Sequence, residues 1–381
     1  MRSTSRIGSG AFSLPAEDRP SLRHLATIRW GLLVAVLLLS LVGLATVHSA
    51  SAELGVDYLP KQATWVAVGF LALLIAFSID YQALMGLALP LYVLGLGALV
   101  FVLFLGIEGG GARSWLGWGG LGIQPSEFVK LTTILLLARY LAGINQPQLS
   151  LRQLAMTLLI VVPPVALVVL ERDLGGGAMY FPILAGMLLV AGVRWRWVLT
   201  GALLLVLAGG VLWNFALLDY QRQRIVTFVS PMSDPLGAGY QLRQSKIAVG
   251  SGELTGKGYM QGTQSQLRFL PARHTDFVFA VLAEEWGFLG VAGALVLYVL
   301  FVYNACRVAA RARDRAGILL VVGLVSGFAF HVLYNTAMVV GLVPITGIPL
   351  PFLSYGGSFT LANFIAAGLI LGVDFRRYVN R

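Results

Sequence analysis

GLLVAVLLLSLVGLATV, Gly31 to Val47, carries no charge, and only Ser40 and Thr46 interrupt its hydrocarbon. About 20 such residues, wound as a helix, cross the roughly 30 Å of a bilayer's hydrocarbon core. Runs of this kind recur along the whole chain. Of 381 residues 57% are hydrophobic and 12% charged, and the mean hydropathy is +0.81. A soluble globule could not be covered with so little polar surface. The fold class read from this pattern is an all-α integral membrane protein, because helices satisfy every backbone polar group internally. A β-barrel would need short alternating strands instead.

Apolar windows place spans near 27–48, 61–79, 83–106, 125–143, 153–171, 175–192, 197–217, 277–303, 316–340 and 357–374. Ten crossings put both termini on one side. Arginine placement sets which side: Arg2, Arg6, Arg19, Arg23 and Arg29 precede the first span, and Arg139, Arg152, Arg194, Arg196, Arg307, Arg311, Arg313 and Arg315 fall in alternate connections. Arg376, Arg377 and Arg381 close the chain. Cytoplasmic termini satisfy the positive-inside rule. Residues 1–25 read as a flexible cytoplasmic tail and 26–381 as one polytopic domain, with a long external loop at about 218–276 between helices 7 and 8. A cleaved leader ending near Ala50-Ser51-Ala52 is the competing reading, but the apolar run is long for one and follows a long polar segment. Trp115, Trp118, Trp195 and Trp197 lie near span ends, as interfacial anchors do.

The net charge of +10 fits a membrane surface, since no soluble basic domain exists to bind nucleic acid. Cys306 is the only cysteine, which excludes a disulfide framework. His24, His48, His274 and His331 are scattered, against a zinc site. A hard-cation site built from carboxylates stays open. No internal repeat speaks for a transporter of the inverted-repeat kind.

Ionisable residues apart from the arginine anchors gather at the outer face in four elements. In GGGARSWLGWGGLGIQPSEFVKL (Gly109–Leu131) the glycines suggest a pliable loop, and Pro125 suits a helix's first turn. Glu127 and Lys130 then stand three residues apart on one helix face, where a membrane ammonium is either a structural ion pair or functional. LERDLGGG (Leu170–Gly177) sets Glu171, Arg172 and Asp173 in a tight connection, where charges also simply mark a helix end at water. In FLPARHTDFVFAVLAEEWG (Phe269–Gly287), Thr275 is positioned to cap a helix with Asp276 in its first turn. His274 adjoins them, and Glu284 falls on the face of Asp276, two turns on. VGLVPITGIPLPFLSYGGSF (Val340–Phe359) is too rich in proline and glycine to continue a helix and reads as a re-entrant loop, with Ser354, Tyr355 and nearby amides as anion donors. One half-buried external cavity for an anionic, membrane-delivered ligand accounts for all four. Asp276 would be its base, Lys130 a counter-charge to phosphate, and Glu127 and Asp173 cation ligands.

The strings QPSEFVKL, GYQLRQSKIAVGSGELTGKGYMQGTQSQLRFLPARHTDFVFAVLAEEWGFLG and NTAMVVGLVPITGIPLPFLSYGG resemble the SEDS family of bacterial cell-wall proteins, most closely its elongation members. The resemblance extends from about Arg29 to Asp374 and implies ten transmembrane helices in the inner membrane. It implies a peptidoglycan glycosyltransferase that polymerises lipid II during elongation and shape maintenance, beside a class B penicillin-binding protein and other membrane proteins of the elongation complex. The family's essential aspartate falls on Asp276, its membrane acid and lysine on Glu127 and Lys130, its loop aromatic on Trp115, and its aspartate after span five on Asp173. His274 and Ser354 complete the substrate-binding set expected here. A divalent cation such as Mg2+ or Mn2+ is the expected cofactor, with Asp276, Glu127 and Asp173 its candidate ligands. Departures from the family pattern are Ser114 directly before Trp115, Ala272 after Pro271, and LERDLGGG itself. A lipid II flippase and a non-catalytic scaffold are the alternatives.

Overall fold

The computed structural model describes residues 29–52, 57–109, 112–118, 121–215, 219–230, 234 and 237–377; the expected tail at 1–25 lies outside them. Helices dominate: α1 Trp30–Ser51, α2 Leu59–Ser78, α3 Tyr81–Gly86, α4 Ala88–Leu105, α5 Pro125–Ala142, α6 Leu151–Leu170, α7 Leu174–Ala178, α8 Tyr180–Ala191 and α9 Trp195–Phe215. They continue as α10 Asp219–Val229, α11 Ala238–Ser251, α12 Thr263–Gln266, α13 Val278–Ala309, α14 Arg315–Val339 and α15 Gly357–Arg376. Among the described residues eight spans are long and apolar enough to cross a membrane: α1, α2, α4, α6, α7 with α8, α13, α14 and α15. The 18-residue α5 carries Glu127, Lys130 and Arg139, and α9 has 21 residues. With these two, the described residues hold the ten long helical segments expected of an all-α multi-pass membrane protein.

The third span is broken at Leu87 because Arg139 of α5 donates to the carbonyls of Met85 and Gly86, each at 3.0 Å. The centre of the bundle is α14 with α15, whose apolar windows are 61% and 72% buried, against 22% for α2, α4, α6 and α13. A stack of Phe301 on Phe328 at 4.1 Å, with Phe352 and Phe364 edge to face at 5.3 Å, fills the space between α13, α14 and α15. Aromatic pairs favour these arrangements.

Three expectations need correction. The glycine-rich segment before α5 is a three-stranded antiparallel sheet, β1 Ile107–Gly109, β2 Ala112–Trp118 and β3 Leu121–Ile123, with Ile107 opposite Trp115 and Leu116 opposite Ile123. The long connection after α9 carries α10, α11 and α12. Asp276 does not enter a helix: Phe277 is the N-cap of α13 without a side-chain cap, and Thr275 donates to the Ala272 carbonyl at 3.2 Å. Residues 271–277 form consecutive turns instead.

α13 is two helices joined at Gly287, whose φ of 62° and ψ of −161° lie outside the helical region. A side chain there would collide with the backbone of Gly256, so the kink requires glycine. Before the kink, Val278–Glu285 is buried, with Glu284 bonded to the connection that carries α11 and α12. The segment 340–356 is non-helical, as its prolines demand. It is enclosed by protein: Tyr298 donates to the Pro351 carbonyl at 2.6 Å, and Gly43 of α1 has no room for a side chain against Phe352.

Candidate functional site

Pro125 occupies the first turn of α5, where its missing N–H costs nothing, and Glu127 sits in that turn. One turn on, Lys130 meets it, Nζ to Oε2 at 2.8 Å and to Oε1 at 2.9 Å, with both residues buried. The pair lines an open cavity together with Met179, Phe328, His331 and Asn363. An ammonium within a membrane helix is costly without a counter-charge, and Glu127 supplies one.

Asp276 does not line this cavity; it stands on the turn before α13. Its backbone carbonyl accepts from Asn335 Nδ2 at 2.8 Å, and the same amide donates to the Ile348 carbonyl at 2.8 Å. Its carboxylate faces Gly347, whose Cβ, were there one, would stand 3.6 Å from Oδ2. Burial pushes this half-buried carboxyl up from the ordinary 3.8 to about 6, while Arg224 of α10 and the Thr275 hydroxyl pull it down. Desolvation therefore wins. At neutral pH the group is ionised yet basic enough to accept a proton. One turn before Asn335 on α14, His331 lines the cavity and contacts the Pro349 carbonyl at 3.1 Å. Thus α14 and the strip 347–349 join the lysine end to the aspartate end.

The remaining predicted residues are distributed around this axis. Asp173 caps α7, accepting from Gly176 N–H at 2.7 Å, and takes Gln124 Nε2 at 3.2 Å. Its turn abuts the strip, because a Cβ on Gly175 would lie 2.6 Å from the Thr346 carbonyl. Trp115 stands on β2 between Gly109 and Gly122, within 3.1 Å and 3.0 Å of where their Cβ atoms would be, and does not line the cavity. His274 stacks on Tyr58 at 4.7 Å and 9° and meets Tyr355 edge-on at 5.8 Å. Burial, then Arg273, lowers the His274 pKa, so its imidazole is neutral at pH 7. Ser354 is fully buried, and its hydroxyl donates to the Thr275 carbonyl at 2.6 Å and accepts Leu350 N–H at 2.8 Å. That hydroxyl braces the Asp276 turn and is spent; it offers nothing to an anion.

Two further residues change meaning. Glu171 is not a helix end at water: it is 1% exposed with neither carboxylate oxygen hydrogen-bonded. Burial and then Asp173 raise it from 4.5 to about 8. Glu284 does not share a face with the Asp276 site. Its buried carboxylate receives Lys257 Nζ at 2.7 Å, Gln264 N–H at 2.9 Å and Ser265 N–H at 3.2 Å. Arg273 then ties this loop to α1, donating to the Ala50 carbonyl at 2.7 Å and to the Ser265 carbonyl. Sequence reasoning missed Asn335, His331 and Arg224, whose only visible signal was polarity within or beside apolar helices.

No group of three or more acids, histidines or cysteines that could hold a metal is gathered among the described residues. Glu127 is paired with Lys130 and Asp173 is engaged in capping, which leaves Asp276 as the carboxylate open to a cation. Mg2+ is commonly held by one or two carboxylates together with substrate phosphates, and a single aspartate fits that pattern and no protein cage.

A family model described as cell cycle protein, covering FtsW, RodA and SpoVE, matches residues 25–378. The chain is 37% identical over 348 residues to the peptidoglycan glycosyltransferase MrdB of Escherichia coli K12, covering 91% of this chain and 93% of that one. Its fold is similar to a chain of a peptidoglycan synthase complex that coordinates polymerization and crosslinking, with TM-score 0.80 and 33% identity over 92% of this chain and 98% of that one. It is also similar to the rod shape determining protein RodA of Thermus thermophilus, with TM-score 0.69 and 30% identity over the same shares. With helices, re-entrant strip and sequence all matching along nine-tenths of its length, the chain belongs to the FtsW, RodA and SpoVE family of cell cycle proteins.

Proposed function

We propose that the chain is a peptidoglycan glycosyltransferase that polymerises lipid II during cell elongation and shape maintenance. The observation that carries this reading is that one helix, α14, connects a cavity holding a buried lysine with a basic carboxylate. Lys130 and His331 line the cavity, and one turn on from His331 the Asn335 amide holds the Asp276 carbonyl. A lipid-linked donor brings a diphosphate and a sugar into one site, and these two groups match its two ends.

In the reaction the Asp276 carboxylate takes the proton from the 4-hydroxyl of the acceptor GlcNAc. That oxygen bonds to C1 of the donor MurNAc with inversion as the C1–oxygen bond to phosphate breaks, and undecaprenyl pyrophosphate departs. General-base assistance of this kind contributes roughly 10²–10⁴ in rate. Lys130 supports the negative charge on the departing diphosphate, and its partner Glu127 holds the ammonium in the cavity. A divalent cation such as Mg2+ or Mn2+, for which Asp276 is the candidate ligand, would supply further charge neutralisation to the leaving group. The neutral His274, with Tyr58 and Tyr355, forms an aromatic wall beside Asp276.

Arginine distribution supports cytoplasmic termini and a site at the outer face of the bacterial inner membrane. A class B penicillin-binding protein, crosslinking the strands, is the partner this reading requires.

The test supplies purified protein and its transpeptidase partner with lipid II and divalent cation, and follows glycan strands by gel. Asp276→Ala is expected to make none. Full polymerisation by that variant would return Asp276 to a structural role, and lipid II translocation without polymerisation would favour a flippase.

A further inference from the structure

Three aromatic rings from three separate segments meet on the turn that carries Asp276. Tyr58 is the N-cap of α2, His274 belongs to the turn itself, and Tyr355 lies near the end of the non-helical segment 340–356. The His274 ring lies on Tyr58 at 4.7 Å and 9°, Tyr355 stands 4.8 Å from Tyr58 at 55°, and Tyr355 meets His274 edge-on at 5.8 Å. Backbone bonds fix this arrangement. The Tyr355 N–H donates to the His274 carbonyl at 2.9 Å. On either side of Tyr355 the buried Gln62 of α2 holds the segment, donating to the Ser354 carbonyl and accepting the Gly356 N–H, each at 3.3 Å. Gln62 gives its own N–H to the Tyr58 carbonyl at 2.9 Å, so all three rings are set by one connected frame.

This cluster differs from the phenylalanine stack inside the bundle. Phe301, Phe352 and Phe364 are buried, whereas Tyr58, His274 and Tyr355 each keep part of their surface open. Every ring here also has a polar tip. Among the described residues neither tyrosine hydroxyl takes a hydrogen bond, and His274 Nδ1 is enclosed without a partner. Rings with an apolar face and an unspent polar edge suit a ligand that is itself two-sided. A pyranose is such a ligand. Its axial C–H bonds make one face apolar and slightly positive, which the negative face of an aromatic ring attracts, while its hydroxyls point outward around the ring. Tyrosines that only anchor a span at the membrane surface have no need to be gathered from three segments onto one turn.

We propose that Tyr58, His274 and Tyr355 form a carbohydrate subsite on which an N-acetylhexosamine ring stacks. His274 and Asp276 are two residues apart, at most about 7 Å along the chain, so one sugar residue can bridge the rings and the carboxylate. That sugar is the acceptor GlcNAc, because Asp276 takes the proton from the acceptor's 4-hydroxyl. The identity of the sugar as acceptor rests on the glycosyltransferase reading; the affinity of the rings for a sugar does not.

Full-length protein in detergent is titrated with soluble GlcNAc–MurNAc disaccharide, its aromatic protons are irradiated, and saturation transferred to the sugar is read by NMR. The C–H protons of the GlcNAc ring are expected to be saturated. Tyr58→Leu and Tyr355→Leu should each weaken binding about tenfold, the loss of one stacked ring, and Tyr58→Trp should bind at least as well as wild type. In polymerisation by the leucine variants, KM for lipid II should rise about tenfold while kcat changes far less. No saturation of the sugar by wild type, or unchanged affinity in both leucine variants, overturns the subsite. The wild-type measurement needs no substitution, so a variant that does not fold leaves the test standing. The two readings fail separately. Full polymerisation by Asp276→Ala, with sugar binding still weakened in Tyr58→Leu, ends the role of Asp276 and keeps the subsite; no strands from Asp276→Ala, with sugar binding unchanged in the leucine variants, ends the subsite alone.

Discussion

Asn335 holds Asp276 by its main chain: one side-chain amide donates to the Asp276 and Ile348 carbonyls, each at 2.8 Å. The amide is fully buried. Asn335→Ala leaves two buried carbonyls without a donor, at about 1–3 kcal/mol each, and frees the turn that carries Asp276. A displacement near 1 Å can cost about a hundredfold in rate. The variant should lose kcat of that order while KM changes far less, measured by lipid II turnover and checked against a melting curve.

Lys130 and Glu127 separate a structural role from a chemical one. Lys130→Met strands a buried carboxylate, a loss of about 3–5 kcal/mol. Glu127→Gln/Lys130→Met removes both charges and should recover most of that stability. Activity should stay lost in the double variant. If the double variant polymerises lipid II like wild type, the pair is only a structural ion pair.

The raised Asp276 carboxyl sets a pH profile. With its pKa near 6, the rate should be level above pH 7 and about tenfold lower at pH 5, since only the ionised form is a base. The folded protein binds this proton more tightly than the unfolded chain does. Stability therefore rises as pH falls from about 6 toward 4. Asp276→Asn should abolish that gain and be more stable than wild type above pH 6, read by thermal unfolding across pH.

Glu171 titrates higher still, near 8 against 4.5 unfolded. Its folded pKa is raised, so wild type loses stability as pH climbs from about 5 to 8. Glu171→Gln, neutral throughout, should match wild type near pH 5 and melt above it at pH 8. Coincident melting curves at both pH values would show that the carboxylate has an ionic partner.

Glu284 anchors the long connection between α9 and α13 through Lys257 and two backbone N–H groups. Glu284→Ala should cost about 3–5 kcal/mol by leaving these donors unmet. It should also expose residues 252–276 to proteolysis before the membrane helices open. Glu284→Gln keeps an acceptor and should fall between.

The long helices were legible because each is a run of about 20 mainly apolar residues, a signal that needs no knowledge of neighbours. The small sheet was not, since glycines at 109, 117 and 122 erase the alternation that marks a strand. Glu127 with Lys130 could be read from spacing alone, being partners within one helical turn. Glu284, Glu171 and Asn335 could not: the partners of Glu284 lie 19 to 27 residues away, and Asn335 reaches Asp276 across 59. Thr275 looked like a cap from its position, but the Pro271–Ala272 turn captures its hydroxyl and delays the helix until Val278.

His331 and Asn335 are one turn apart on α14, about 5.4 Å along its axis, one lining the lysine cavity and the other bonded under Asp276. That single turn ties a wall of the Lys130 cavity to the support of the Asp276 carbonyl. Any slide or rotation of α14 therefore displaces both at once, and neither can be repositioned without the other.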